Sequence, residues 1–378
     1  MPAAPLRVLN IVSAMDRGGV ETWLVHMLRA ADRSRLAMDI YAVSGRRGAY
    51  DDEVEALGGR IHYGPGLKSP RHLPDLIRVL REGGYDIAHG HMEFVSGYQL
   101  PAARLAGVRG RIAHSHTIGS DKRITGWRAA ARRGLVTAAK ASMTRGAGIT
   151  ENAAAAMFGP RWRDDPRIEV LEYGFDFSSF DGAGERAVEV RRRLGIAADA
   201  VVFGHVGRFV PFKNHGFLLD VFAEAATLEP RARLLLVGAG PLEAEVRARA
   251  EAMGLSDRVV FAGLTPDVPA HIVAMDVFVF PSWAEGFGIA GLEAQAGGAY
   301  CLFSEGIPPE TKVLDGQVRI LPLDAGPKVW AETAMALLAQ GPADRAASLA
   351  AVETSHFGVR RCLADLERLY RRSLGEAV

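Results

Sequence analysis

Short apolar runs alternate with stretches of helical apolar spacing along most of the chain. Leu6–Val12 (LRVLNIV) reads as a buried strand, Ser13–Gly19 as a glycine loop and Val20–Ala31 as a helix. Further strands are predicted at Met38–Ser44, Gly59–Tyr63, Tyr85–Gly90, Arg111–His116, Ala147–Thr150 and Arg167–Glu172. Helices are predicted between them at Tyr50–Leu57, Pro70–Glu82, Val95–Ala106 and Glu151–Phe158. This βαβα order predicts a parallel sheet covered on both faces. Ser178–Ala187, rich in Ser, Asp, Gly and Ala, breaks the periodicity and reads as a linker. A second series follows, with a helix at Val188–Leu194, strands at Val201–Val206, Ala232–Val237, Arg258–Phe261 and Val277–Phe280, and helices at Leu218–Ala226, Leu242–Met253 and Val268–Met275. Val359–Leu374 closes the chain as an amphipathic helix. The expectation is α/β throughout: an N-terminal Rossmann-like domain over 1–180, a second over 181–358, and a helix over 359–378 packing back toward the first.

Composition narrows the classes. The 378 residues suit two domains, and 48% apolar content supports substantial cores. A formal net charge of +1 argues against general nucleic-acid binding. Cys301 and Cys362 are the only cysteines, which fits a reducing compartment and offers no metal-site spacing. No apolar run reaches the ~18 residues of a membrane span. Met1–Val8 is too short for a signal peptide ahead of a strand, so a cytoplasmic location is expected. Lys122–Arg145 carries seven cations and no acid, with Trp127, Leu135 and Val136 among them. It is either a solvated helix or an amphipathic basic helix resting on an anionic membrane face, which would make the protein peripheral at the inner surface.

The chemistry concentrates in two stretches. In Phe278–Cys301 (FVFPSWAEGFGIAGLEAQAGGAYC) a buried strand stops at Pro281, and a loop with Gly286 and Gly288 leads into a helix. That order gathers free backbone N–H groups and the positive end of a helix dipole, a natural seat for a diphosphate. Glu285 and Glu293 bracket it roughly 12 Å apart along the axis, which suits a ligand with hydroxyls at both ends. In Gly207–Asn214 (GRFVPFKN), Arg208 and Lys213 leave one strand end on one loop, where two fixed cations can neutralise a diphosphate leaving group. The pairs His89/His91 and His114/His116 each end a strand. Zinc is disfavoured there because no carboxylate or cysteine completes a set. The first glycine loop lacks G-x-G-x-x-G, so a nicotinamide dinucleotide is not supported.

The E-x7-E arrangement with its internal glycines, taken with GHVGRFVPFKNHGFLLDVF, resembles retaining glycosyltransferases of the GT-B fold, family 4. MDRGGVET, DIAHGHMEFVSGY, RIAHSHT, LLLVGAGPL and AMDVFVFPSWAEGFG extend the resemblance from Arg7 to about Ala331, closest to an exopolysaccharide-biosynthesis branch. It implies two Rossmann-like doubly wound domains facing each other across a cleft. It implies transfer of a hexose or N-acetylhexosamine from a nucleotide sugar, UDP being the favoured base, to a hydroxyl of a saccharide, lipid-linked or small-molecule acceptor. The implied mechanism is a metal-independent front-face displacement, with a donor phosphate oxygen taking the acceptor's proton. Carried over, Glu285 bonds the transferred sugar, Glu293 holds the ribose, and His116 lies at the reacting centre. Arg208, Lys213, Gly18, Gly19, Gly207, Gly238, Gly286, Phe287 and Gly288 line the donor site. Asp16, His91 and His114 face the acceptor. The chain departs from the family at Tyr173-Gly174, where Asn-Gly is usual, at Gly297–Tyr300 and at Pro308–Leu314. Two alternatives stay open: a nucleotide-sugar 2-epimerase of the same fold, and a non-catalytic homologue acting as a partner subunit.

Overall fold

The computed structural model describes residues 4–116, 126–285 and 287–377. The chain divides into two compact units, one formed by residues up to Asp176 together with those from His356 onward, the other by Phe177–Ser355.

In the first unit the strands are β1 (Leu6–Val12), β2 (Leu36–Ala42), β3 (Ile61–Tyr63), β4 (Ile87–Gly90), β5 (Gly110–Ser115), β6 (Arg145–Gly148) and β7 (Ile168–Val170). They form one parallel sheet in the order β3-β2-β1-β4-β5-β6-β7. Helices α1 (Gly19–Ala30), α2 (Asp51–Ala56), α3 (His72–Gly83), α4 (Ser96–Leu105), α5 (Gly126–Ser142) and α6 (Glu151–Phe158) cover it. The strands read as continuous apolar runs because both faces are buried, with Leu9, Ile11 and Ala88 on one side of the core and Ala113 on another.

The second unit holds α7 (Ala183–Arg193), β8 (Val201–Val206), α8 (His215–Leu228), β9 (Ala232–Val237), α9 (Glu243–Ala252), β10 (Val259–Gly263), α10 (Val268–Val273), β11 (Val277–Phe280), α11 (Ile289–Ala296), β12 (Tyr300–Ser304), β13 (Val318–Leu321), α12 (Gly326–Leu338) and α13 (Arg345–Thr354). Its parallel sheet runs β10-β9-β8-β11-β12-β13. Phe203, Leu234, Val277 and Leu302 from four strands meet Phe222 of α8 and Trp330 of α12 in its core.

Ser178–Ala187 is not irregular. It forms a single tight turn at Ser178–Phe180 and the start of α7 at Ala183, with Phe180 and Ala183 buried. The crossing between units falls earlier, at Asp176/Phe177. The chain then returns: α14 (Val359–Ser373) packs on α1, β5 and β6 of the first unit, burying Cys362, Leu366, Leu369 and Tyr370. Gly174 belongs to this packing, since a Cβ there would collide with Cys362 Cβ.

In each sheet the strand order reverses once, between β1 and β4 and between β8 and β11. Crevices at such reversals, beyond the carboxyl ends of the strands, are where open α/β sheets bind ligands.

Candidate active site

In the second unit the loops after β8 and β11 meet at the reversal point. Phe209 is fully buried and stacks on His215 with ring centres 4.3 Å apart, which anchors the loop. Arg208 beside it points into solvent and has no acidic partner among the described residues. Gly238, at φ +135°, lies so close to the Gly207 carbonyl that a Cβ would collide with it. Only glycine permits that approach of the β8 and β9 loops. Pro211–Lys213 is one helical turn ended by Asn214 in the left-handed region at φ +56°. Asn214 Nδ2 donates to the Pro281 carbonyl at 3.2 Å, and the Trp283 N–H donates to the Phe212 carbonyl at 2.8 Å.

Those two bonds bring Lys213 against Glu285. Lys213 Nζ lies 2.7 Å from Glu285 Oε1, with the side chains 13% and 11% exposed. The contact is an ion pair without hydrogen-bond alignment. The ammonium also stands over the Phe280 ring, 4.8 Å from its centre. Gly288, at φ +82°, caps α11, whose leading N–H groups have no partner within the helix. Phe287 is buried, and its carbonyl accepts from the Thr311 hydroxyl at 2.6 Å. Gly286 lies outside the described residues. One turn into α11, the Glu293 side chain makes no hydrogen bond or ion pair with any described residue, and desolvation pushes its carboxyl up to about 7.

In the first unit, Gly18 and Gly19 head α1. The anion at that helix end is the protein's own: the Glu21 carboxylate lies directly against Gly18, where a Cβ would collide with it, and burial raises its pKa. Asp16 is exposed and paired with Arg46, which holds its carboxyl below the usual range.

The histidines lie deeper. Alternate residues of a strand share a face, so His89 and His91 from β4 meet His114 and His116 from β5. His89 Nε2 is 3.2 Å from His114 Nδ1, and His89 Nδ1 is 3.1 Å from the Tyr370 hydroxyl. His91 Nδ1 is 2.9 Å from His116 Nε2, and His91 Nε2 is 3.0 Å from Asn10 Oδ1. His116 Nδ1 is 2.8 Å from the Tyr173 hydroxyl. Burial lowers all four rings far below the usual histidine range, His114 to about 3. The acceptor contacts expected of His91 and His114 are therefore not those of surface rings. Both are buried, and both ring nitrogens of His91 are engaged inside the protein. The ring nitrogens of His116 are engaged as well.

Among the described residues, His89, His91 and His114 could hold a metal, with ligand nitrogens within 4.8 Å of one another. A divalent ion would have to displace the His89–His114 bond. It would then sit in the interior with neutral ligands and no carboxylate to offset its charge, a costly arrangement.

A family model described as "Glycosyl transferases group 1" matches residues 200–340, and one described as "Glycosyltransferase Family 4" matches 17–149. A Bacillus subtilis (strain 168) protein named as the glycosyltransferase EpsF is 35% identical over 350 residues, 90% of each chain. The chain belongs to glycosyltransferase family 4. Family members named for different donors also match. An Escherichia coli galactosyltransferase named for UDP-Gal and a diphosphoundecaprenol acceptor is 31% identical over 252 residues, 63% of this chain and 62% of its own. A Mycobacterium tuberculosis (strain H37Rv) mannosyltransferase named for GDP-mannose is 29% identical over 314 residues, 78% of this chain and 79% of its own. The fold matches that of Anabaena Alr3699/HepE solved with UDP, at TM-score 0.79 and 20% identity over 96% of this chain and 98% of that one. A glycosyltransferase structure from Rickettsia africae superposes with TM-score 0.79 at 16% identity, over 99% of this chain and 100% of that one. The architecture is that of GT-B glycosyltransferases.

Within the first unit, Asn10, Glu21, Glu93 and Tyr173 lie against the expected positions without having been singled out as site residues. Glu93 holds an unfavourable left-handed backbone at φ +51°, and its carboxylate accepts from the His116 N–H at 2.7 Å and the Ser115 hydroxyl at 2.9 Å. Asn10 had a signal, a lone amide inside the apolar run Val8–Val12, and the structure buries it fully. Tyr173 showed only as a departure from the usual Asn-Gly, and Glu93 gave no signal, because their contacts form only through the fold. Trp283 and Phe212, 58% and 44% exposed, flank the Lys213–Glu285 pair as unclaimed aromatic surface.

Proposed function

We propose that the protein transfers a hexose or N-acetylhexosamine from a UDP-sugar to a hydroxyl of a saccharide or lipid-linked acceptor, with retention and without a metal, in surface-polysaccharide assembly. The observation that carries the reading is the charge pattern at the β8/β11 reversal. Lys213 is held against Glu285, Arg208 has no acidic partner, and Glu293 is a half-buried, desolvated carboxylate whose side chain has no donor of its own among the described residues. A nucleotide sugar answers each of these. Its diphosphate takes the two cations and the N-terminus of α11, its sugar hydroxyls take Glu285, and its ribose hydroxyls take Glu293. With that many fixed positive groups, the departing diphosphate is stabilised as its charge develops, which is the work a divalent ion would otherwise do. Exposed Trp283 and Phe212 offer flat apolar faces to a pyranose ring near the same point. The basic face of α5, which carries exposed Trp127, is in this reading a contact with anionic lipid near a lipid-linked acceptor.

The experiment is a thermal-shift panel of UDP-, GDP-, ADP- and TDP-sugars with and without EDTA. A rise with the uridine donors alone, unchanged by EDTA, is the expected result. A rise only with another base corrects the donor, and a rise abolished by EDTA overturns metal independence.

A further inference from the structure

β1, β4 and β5 set Asn10, His91 and His116 in one buried row that ends at Tyr173, and hydrogen-bonding valence gives this row a direction. Asn10 Nδ2 donates to the Asp39 carbonyl at 3.4 Å, which turns Asn10 Oδ1 toward His91 Nε2 at 3.0 Å. An amide oxygen only accepts, so His91 carries its proton on Nε2. His91 Nδ1 is then a lone pair, and its 2.9 Å partner His116 Nε2 must be the donor. That leaves His116 Nδ1 a lone pair in turn, and the Tyr173 hydroxyl donates to it at 2.8 Å. Reversing the row would turn the Asn10 oxygen against the Asp39 carbonyl oxygen. Burial favours the neutral rings that this pattern requires.

We infer that Asn10 and Tyr173 are positioning residues for His116. Asn10 sets the direction of the row and Tyr173 closes it, holding His116 as the neutral Nε2–H tautomer in a fixed ring plane. A row that ends in an amide passes no proton onward, so its work is orientation, and His116 acts as a fixed wall of the site rather than as an acid or base. Glu93 holds the same residue from the other side, through the His116 N–H. The inference rests on the reading of His116 as part of the donor site.

The test is nitrogen-15 NMR of the whole chain labelled in histidine, with signals assigned from His91→Gln and His116→Gln. In the wild type both rings are expected as Nε2–H. Asn10→Leu removes the direction, so both rings become tautomer mixtures. Tyr173→Phe leaves Asn10 in command, so both rings keep the Nε2–H form and only the His116 Nδ1 resonance shifts. In turnover, each variant is expected to lower kcat about three- to tenfold with the donor KM nearly unchanged, the scale of one buried hydrogen bond. An Nδ1–H His116 in the wild type overturns the inference, as does wild-type tautomer purity in Asn10→Leu. So does tautomer reversal in Tyr173→Phe, which decides the matter even if Asn10→Leu does not fold. Unchanged kcat in both variants overturns the positioning role. The spectra need no substrate, so a protein that moves no sugar from any donor would overturn the site reading while the row was still judged on its own.

Discussion

Lys213 and Glu285 are each other's counter-ion in this structure, so neither can be removed without consequence for the other. Lys213→Ala strands a carboxylate that is 11% exposed. Breaking one partner of such a pair is more damaging than replacing both, because an uncompensated charge is left behind. The variant is expected to lose about 10²–10³-fold in kcat, the scale of an electrostatic transition-state contact. It is also expected to melt lower than wild type, and Lys213→Ala/Glu285→Gln to recover part of that loss, which a double-mutant cycle of melting temperatures would read. Strict additivity would refute the pairing. Glu293 carries the opposite sign. Its folded pKa of about 7 lies above its ordinary value of 4.5, so the folded state binds more protons between those values. Stability is therefore present below about 4.5 and falls as pH rises through 7. Glu293→Gln removes that penalty. Urea unfolding should find the variant more stable than wild type at pH 8, by about 1–3 kcal/mol, and nearly equal at pH 4.5. Its donor affinity should fall, because an amide replaces the carboxylate proposed to hold the ribose. A variant no more stable at pH 8 would show that Glu293 is not desolvated.

At the scale of elements, what could be read from sequence was what periodicity carries. The strands flanking the site were recognisable because a parallel sheet buried on both faces leaves apolar runs. Their loops were recognisable because glycine and proline end them. β12, β13, α12 and α13 went unread. In the stretch Val318–Thr354 the helices are short on charged alternation, and α12 and α13 each bury only part of one face. Ser178–Ala187 misled for a related reason: small residues mark a linker in sequence, yet Ala183 and Ala187 are small because α7 packs closely there. The basic stretch is helical over Gly126–Ser142, whereas Lys122 and Arg123 lie outside the described residues. Trp127 at its start is 76% exposed, and Ala139 and Ser142 are buried at its end. The helix is thus most open at its start, although exposed positions recur along it as far as Ala141. Vesicle co-sedimentation should require anionic lipid, weaken at high salt and drop in Trp127→Ala. Binding that ignores salt would refute the electrostatic contact. No helix among the described residues is long and apolar enough to cross a membrane.

At the scale of the whole molecule, the fold class and the loops of the second unit were legible, and the interior of the first was not. Gly207–Asn214 and Pro281–Glu293 each carry their chemistry on one continuous stretch, so spacing alone discloses it. The histidine row joins Asn10, His91, His116 and Tyr173 from separate strands and a connecting segment, and only the sheet order brings them together. The same long reach governs α14. Trp23 Nε1 donates to Cys362 Sγ at 3.3 Å, and Tyr370 meets His89, so the first unit is completed by residues that follow the whole second unit along the chain. During synthesis the second unit has all of its strands before α14 exists. The first must wait with the sites of Leu366, Leu369 and Tyr370 uncovered. At about 5–20 residues per second that wait lasts roughly ten seconds or longer. Tyr370, the hydroxyl that meets His89, is thus among the last parts of the first unit to be made, so the buried histidines gain that partner only when synthesis is nearly over.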